Sequence, residues 1–402
     1  MSNPGSCTLV GPGVAVRGES RDPGRARRFT RDGSFELEQR LARTCDEVRR
    51  GVQRIIPSPK LEALMLAGGY GRGEGGVLKT EAGDQPYNDL EFYVCLRGNR
   101  FFNEWRYTHA LHQLAAGLSP SAGVEIEFKV ISLADLQRAP ITMFSYDLVM
   151  GHRWLWGKEE LLQHCEHHRE TGELPMAEAT RLLMNRCSGL LFAQEKLQRQ
   201  AWSAEDADFV GRNLAKARLA FGDAVLACAG QYHWSCLERH ERLSRLTVPL
   251  PWLSQLRSLH AAGVDFKLHP RRSRASVTLL QAELEELRAR GLSLWLWLEN
   301  RRLGSSFQSA RDYGMSSLDK YPDTNPCRDF LVNLKAFGLA ALCAKRSFRC
   351  PKERVLNALV ILLWEPWRLE PQLIRHLRHE LRMRGSDPDI PAAYRSLWAR
   401  FN

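Results

Sequence analysis

The sequence predicts a protein of two parts: an α/β (α+β) head around a small mixed sheet, followed by a larger all-helical region. Short apolar runs, each long enough for one strand, alternate with helical patterns between residues 61 and 131. From about residue 170 onward, apolar residues recur at the 3.6-residue spacing of amphipathic helices. A chain of 402 residues is long enough for two or three hydrophobic cores.

Each element of the head is predicted from a local pattern. The first helix has apolar residues near every 3.6 positions, and Pro57 and Pro59 end it. The last strand of the head alternates apolar and polar side chains, which is typical of a half-buried strand. The predicted elements are, in order, a helix at 35–55, a strand at 61–67, a glycine-rich turn at 68–76, a helix that begins in the segment beyond this turn, a strand at 90–96, a helix at 105–118 and a strand at 124–131.

The second half of the chain has helical periodicity, and loops rich in Pro, Gly or Ser separate its segments. The clearest helices are predicted at 177–198, 206–230, 277–301, 329–345 and 351–364. These patterns suggest a flexible basic arm at 1–33, the head at 34–160, a helical bundle at 170–250 and a second helical region at 251–402.

The composition of the chain indicates its partners and its cellular compartment. The formal net charge of +11 favours polyanionic partners such as nucleotides, nucleic acid or acidic lipid. Ten cysteines without a C-x-x-C pair fit reduced thiols, so we expect a cytoplasmic protein. The longest apolar runs are too short to span a bilayer, and we therefore expect no membrane partner.

The chemistry is predicted from the glycine-rich turn and the acidic residues that follow it. Glycines such as Gly68 and Gly69 let backbone N–H groups approach a phosphate closely. Asp89 and Glu91 are spaced by one, so they leave the same face of a strand and can hold divalent cations. A third carboxylate comes from a neighbouring strand, at position 127 or 125.

Cationic residues near these positions are candidates for binding phosphate. Arg72 lies within the turn, and its guanidinium matches phosphate geometry in a forked way. Asn185, Arg186 and Lys216 lie on predicted helices of the second region and can face the cleft, with Lys216 contacting phosphate. The alternative is that these side chains are solvated or form salt bridges.

The order of these features resembles the polymerase-beta-like nucleotidyltransferase superfamily. In that superfamily a strand ends in Gly-Gly or Gly-Ser, the next strand bears two acids spaced by one, and a later strand bears a third acid. Here Gly68 and Gly69, Asp89 and Glu91, and Glu127 match the pattern.

One further detail fits the superfamily pattern, and another departs from it. For the third acid, Glu127 is preferred over Glu125 because Ser132 follows it at a distance often seen in such enzymes. The interval between the glycines and the acidic pair is longer than usual in the superfamily, which predicts an inserted polar loop at 79–87.

The resemblance implies transfer of a nucleoside monophosphate to a hydroxyl or phosphate of an acceptor. The transferred group would be AMP from ATP, or the monophosphate of another nucleoside triphosphate. It also implies Mg²⁺, or Mn²⁺ in its place, with one ion polarising the attacking hydroxyl and another stabilising the pyrophosphate. Asp89, Glu91 and Glu127 are then the catalytic residues and metal ligands. The nucleotide-binding residues are Gly68, Gly69, Arg72 and Lys216.

The sequence does not identify the acceptor. A small molecule, a side chain of another protein or a tRNA end would each suit the same head. The basic arm favours nucleic acid as a partner. A second class of function is a catalytically inactive nucleotide-binding or RNA-binding protein that retains the nucleotidyltransferase fold.

Overall fold

The computed structural model describes residues 28–401, with the exception of 171, 173, 200, 342–347 and 384–388. The predicted arm therefore lies outside the described residues up to position 27. Its last residues pack against the head, because Phe29 is buried and the backbone N–H groups of Phe29 and Thr30 donate to the Glu38 carboxylate.

The head contains six strands and five helices. In chain order they are α1 (Phe35–Ile55), β1 (Leu61–Leu66), α2 (Gly68–Arg72), β2 (Val77–Thr80), β3 (Gly83–Pro86), β4 (Leu90–Leu96), α3 (Arg100–Ala122), β5 (Ile126–Ile131), α4 (Leu133–Arg138), α5 (Met143–Met150) and β6 (Arg153–Gly157), and a 3₁₀ helix, Glu159–Arg169, follows.

The second half is helical in the part that the structure describes. Its α-helices are α6 (Met176–Leu197), α7 (Ala204–Cys228), α8 (Cys236–Arg245), α9 (Leu253–Leu268), α10 (Val277–Leu303), α11 (Ala310–Met315), α12 (Pro326–Phe337), α13 (Lys352–Trp364), α14 (Pro371–Glu380) and α15 (Ile390–Phe401), with short 3₁₀ turns at Gly338–Ala341 and Trp367–Leu369.

The sheet of the head has four strands in the order β5-β4-β1-β6. Strands β4 and β5 are parallel, whereas β1 is antiparallel to both β4 and β6, so the sheet is mixed. The predicted fold class, a small mixed sheet followed by a larger helical region, is confirmed. The strands predicted at 61–67, 90–96 and 124–131 correspond to β1, β4 and β5.

Both faces of the sheet are covered, which explains why β1 is apolar and buried without interruption from Ala63 to Leu66. Leu64 and Leu66 join a core with α1 and α3 on one face, while Ala63 and Met65 join a second core with α5 on the other. Edge strand β5 differs, because only the face towards α3 is buried and its other face is polar. The sheet therefore has a polar patch at this edge.

The segment between the glycine turn and β4 is more regular than the sequence predicts. The turn itself forms the short helix α2. The helix predicted beyond the turn is wrong, because the chain there pairs with itself as the β2–β3 hairpin, which also takes up most of the predicted loop at 79–87. The Tyr70 hydroxyl donates to the Gly76 carbonyl at 2.8 Å and accepts the Tyr87 backbone N–H at 2.9 Å. This buried tyrosine fixes the end of the hairpin against the turn.

One hydrophobic core joins residues from Leu174 to Leu397 and also takes in Met143 and Tyr146 of α5. The division of the helical region at residue 250 stays a prediction. The helix predicted at 329–345 is wrong in its extent: α12 ends at Phe337, because Gly338 adopts a positive φ of 62°, and residues 342–345 lie outside the described part. Among the described helices, none is both long and apolar enough to cross a membrane.

A buried carboxylate joins the glycine turn to the helical region. Glu74 is 4% exposed and accepts hydrogen bonds from the Ser235 hydroxyl and the Cys236 backbone N–H at the start of α8. Burial alone would raise the pKa of Glu74, but the charge of Lys267 and these hydrogen bonds outweigh it and lower the pKa to about 2. The carboxylate is therefore ionised across the physiological range and stabilises the folded state.

We expect Glu74→Gln to lower the free energy of unfolding at pH 7 by on the order of 2 kcal/mol. Because the folded pKa lies below the usual value of 4.5, the contribution of the carboxylate is present above about pH 4.5 and is lost as the pH falls towards 2. Urea titrations between pH 7 and pH 2.5 should therefore show the difference from wild type shrinking. Glu62→Gln, at a salt bridge with the exposed Arg97, is the control and should cost less than about 1 kcal/mol. An equal loss in both variants, or a difference that does not change with pH, would contradict this role of Glu74.

Candidate active site

Three carboxylates lie together at the polar edge of the sheet. The parallel register of β4 and β5 pairs Glu91 with Glu127, and Asp89 precedes Glu91 by two residues. One carboxylate oxygen from each of the three residues lies within 4.8 Å of the others. Oxygen ligands at this spacing can share a divalent cation, since such ions bind carboxylates from several chain positions. The structure therefore brings the three predicted acids together.

Glu127, and not its neighbour Glu125, is the third member of this group. Glu125 lies just before β5, where its backbone carbonyl accepts the Leu90 N–H at 2.9 Å. The parallel register pairs Glu127 directly with Glu91, which places both side chains on the same side of the sheet. We refer to Asp89, Glu91 and Glu127 as the acidic triad.

Lys129 is a fourth charged residue at the acidic triad. Its ammonium lies 3.0 Å from a Glu127 oxygen and 3.8 Å from a Glu91 oxygen. Burial alone would lower the pKa of Lys129, but Glu91, Tyr93 and Glu127 together raise it, so the lysine is charged. Burial, with Asp89 and Glu127 nearby, raises the pKa of Glu91 in spite of this cation. The site thus holds an excess of negative charge.

The glycine turn lies beside the triad, and two of its glycines are required by the backbone conformation or by lack of space. Gly68 has a φ of 64°, and a Cβ at this position would lie 3.6 Å from the Glu91 carboxyl group. At Gly71 a Cβ would lie only 2.2 Å from the Leu66 carbonyl oxygen, so no other residue fits there. Gly68 and Gly69 both line the cavity next to the triad. Backbone thus approaches the acidic residues closely at this point.

Arg72 lines the same cavity, but its guanidinium is bound to a protein carboxylate. Its Nη1 lies 3.0 Å from Oδ2 of Asp147 on α5, and the side chain is only 10% exposed. Burial alone would lower the pKa of Arg72, and Asp147 reverses this effect and raises it. The sequence did not indicate this partner, which lies 75 residues away along the chain. Arg72 therefore connects the glycine turn to α5.

From Asp147 the charged contacts continue into the helical region. Its Oδ2 accepts the Tyr232 hydroxyl at 3.2 Å, and Arg239 donates to the same hydroxyl at 3.2 Å. Arg239 also lies 2.7 Å from Oδ1 of Asp223, which His260 contacts at 3.0 Å. We call this row, from Arg72 to His260, the buried charge network.

Asp89 and Glu91 of the acidic triad line a cavity of about 620 Å³ between the head and the helical region. A volume of this size is typical of sites for small molecules and nucleotides. Asn185 and Arg186 of α6, Lys216 of α7 and Lys267 of α9 line its helical side. The three side chains that the sequence suggested for the cleft are thus all part of its wall. Lys129, Asp147 and Asp223 also line it, and sequence patterns did not single them out.

Lys216 is a buried cation whose positive charge is only weakly balanced by nearby negative charge. Burial in the cleft and the charges of Arg186 and Arg212 lower its pKa to about 8, and only Asp89 acts in the opposite direction. Seven residues later, about two helical turns along α7, Asp223 belongs to the buried charge network. The same helix therefore provides a cation to the cavity and an anion to the network.

Comparisons with known proteins give little further information. No family model matches the chain, and no curated protein matches it. Among solved structures, a spectinomycin adenyltransferase, AAD(9) from Enterococcus faecialis with ATP and spectinomycin, is similar to this chain with a TM-score of 0.36 and 12% sequence identity. The similarity covers 62% of this chain and 98% of that chain. The residues of the site itself therefore have to support any assignment of function.

We expect Arg72→Met to lower the free energy of unfolding by about 3 kcal/mol, because it leaves the Asp147 carboxylate without its cation in a partly buried place. Chemical denaturation followed by circular dichroism measures this loss. Arg138→Met, which removes an exposed ion pair with Asp135, is the control and should change stability by less than about 1 kcal/mol. Unchanged stability of Arg72→Met would show that the guanidinium is not needed for packing.

Proposed function

We propose that this protein is a metal-dependent nucleotidyltransferase that transfers a nucleoside monophosphate, AMP from ATP, to a hydroxyl or phosphate of an acceptor. The observation that carries the proposal is the acidic triad, which lies beside a close-approaching glycine backbone and opposite the cationic residues of the helical wall. Carboxylates, glycine backbone and cations are the three groups that a bound nucleoside triphosphate and its metal require.

Asp89, Glu91 and Glu127 are the residues that would hold Mg²⁺ or Mn²⁺, since their oxygens are within reach of one ion. A metal held there would neutralise the carboxylates, offset the negative charge of the nucleotide phosphates and polarise the acceptor oxygen. Gly68 and Gly69 provide backbone N–H groups for the phosphates, and Lys216, with its neighbour Arg186, compensates their charge from the opposite wall.

In the transfer step the acceptor oxygen forms a bond to the α-phosphorus of the nucleotide. The bond from that phosphorus to the bridging oxygen breaks, and pyrophosphate leaves with its electron pair. Glu127 takes the proton of the acceptor hydroxyl. Arg72 holds the glycine turn in place through Asp147 and so acts as a positioning residue for the phosphates.

The acceptor can be identified directly with α-phosphate-labelled nucleotides. The protein is incubated with labelled ATP, CTP, GTP or UTP, Mg²⁺ and a cell extract, and the labelled product is separated as small molecule, protein or RNA. Transfer of label from ATP alone would support AMP as the transferred group. Binding of ATP without pyrophosphate release across all acceptors would instead favour the catalytically inactive alternative.

We expect the double variant Asp89→Asn, Glu91→Gln to lose Mg²⁺-dependent nucleotide binding and to reduce pyrophosphate release by about 100-fold or more, the scale seen when one electrostatic stabiliser is removed. Calorimetry with ATP and a coupled pyrophosphate assay measure the two effects. Glu125→Gln is the control, because this acid neighbours the triad without belonging to it. If the double variant binds nucleotide and releases pyrophosphate as the wild type does, the assigned site is wrong.

We expect Lys216→Met to weaken ATP binding about ten-fold at pH 7, because a charged partner of the phosphates is lost. Lysine is protonated below its pKa, which is lowered to about 8, so wild-type affinity should fall as the pH rises above 8. The charged groups that act on this lysine are Arg186, Arg212 and Asp89. In Lys216→Met the decline above pH 8 should disappear, and fluorescence titrations between pH 6.5 and pH 9.5 measure it. A decline of the same size in the variant would assign the pH dependence to another group.

A further inference from the structure

The ammonium of Lys129 contacts carboxylates of the acidic triad that a metal ion would need as ligands. The lysine follows Glu127 by two residues on β5, so both side chains leave the same face of the strand. Its ammonium contacts Glu127 at 3.0 Å and Glu91 at 3.8 Å, and it lies 5.7 Å from the centre of the Tyr93 ring. One cation thus bridges two of the three carboxylates.

These contacts put the ammonium in competition with a metal. Mg²⁺ binds carboxylate oxygens at about 2.1 Å, and a lysine ammonium that contacts the same carboxylate would lie close to the ion. Two cations at this separation repel each other strongly in a partly buried site. A metal held by Glu127 and the lysine contact to Glu127 therefore weaken one another.

The side chain of Lys129 has room to leave. It is 39% exposed, and the residue lines the cavity in front of the triad. Its flexible four-carbon stem lets the ammonium move without a change of the backbone. The centre of the Tyr93 ring lies 5.7 Å from the ammonium, so the ring provides a second favourable surface nearby.

We propose that Lys129 is a built-in counter-ion of the acidic triad, and that a divalent cation bound through Glu127 displaces its ammonium into the cavity. The inference rests on the proposed function only in that the same three carboxylates hold the metal. Lys129 stabilises the Glu91 and Glu127 carboxylates while no metal is bound, and it reduces the affinity of the site for the cation. It is therefore a positioning residue that regulates loading of the metal.

The test is Mn²⁺ binding to the full chain, measured by electron paramagnetic resonance without nucleotide. Lys129→Met keeps the length of the side chain and removes the charge, and it should bind Mn²⁺ about five-fold more tightly than wild type, as expected for loss of one ion-pair competitor. If Lys129 instead supported the metal ligands, the same variant would bind Mn²⁺ more weakly. Unchanged or weaker binding overturns the proposal.

Two further variants separate displacement from a general effect of charge. Lys216→Met removes a cation that acts on Asp89 from across the cavity, and it should change Mn²⁺ affinity by less than about two-fold. Equal tightening in both lysine variants would overturn the displacement. Lys129→Arg keeps a cation at the carboxylates and protects the fold, and it should bind Mn²⁺ no more tightly than wild type. Tighter binding by this variant would also count against the proposal.

The outcome is distinguishable from failure of the proposed function. If Lys129→Met tightens Mn²⁺ binding but wild type releases no pyrophosphate with any acceptor, the counter-ion inference stands and the transferase assignment falls. If wild type releases pyrophosphate but the variant leaves Mn²⁺ affinity unchanged, the inference falls and the assignment stands. If no variant binds Mn²⁺, both are wrong.

Discussion

The glycine turn keeps its position through the buried charge network, which begins at Arg72 and continues into the helical region. Asp147 pairs with this arginine, Tyr232 and Arg239 extend the row to Asp223 on α7, and His260 ends it. Each of these groups would be costly to bury alone, so the row is stable only when both halves of the protein are packed together. Because the cavity lies between those halves, the spacing of its walls depends on the same contacts.

The acidic triad shows the opposite electrostatic arrangement. The register of β4 and β5 places Glu91 beside Glu127, and Asp89 adds a third negative charge. Lys129 contacts Glu127 and Glu91 and offsets part of this charge. Like charges at this distance oppose folding, so the network stabilises the fold around the site whereas the triad lowers stability.

Local patterns were sufficient for much of the fold and for part of the site. Asp89 and Glu91 could be found because their relation is an i, i+2 spacing on one strand, which depends on no other part of the chain. Asp147 could not be found, since its role depends on packing between segments 75 residues apart. Lys129 was visible on the alternating strand, but its contact with Glu91 required the parallel register. The early end of α12 shows the same limit, because helical periodicity does not report the positive φ of a single glycine.

Helix α7 has a consequence for how the protein responds to its ligand. Lys216 faces the cavity and Asp223 lies in the buried charge network, about two turns further along one rigid rod. Under the proposed function, a nucleotide bound to Lys216 would contact the same helix that carries Asp223 to Arg239. Where such a contact strengthens cohesion between the two halves of the chain, thermodynamic reciprocity requires that weaker cohesion lowers nucleotide affinity by the same free energy.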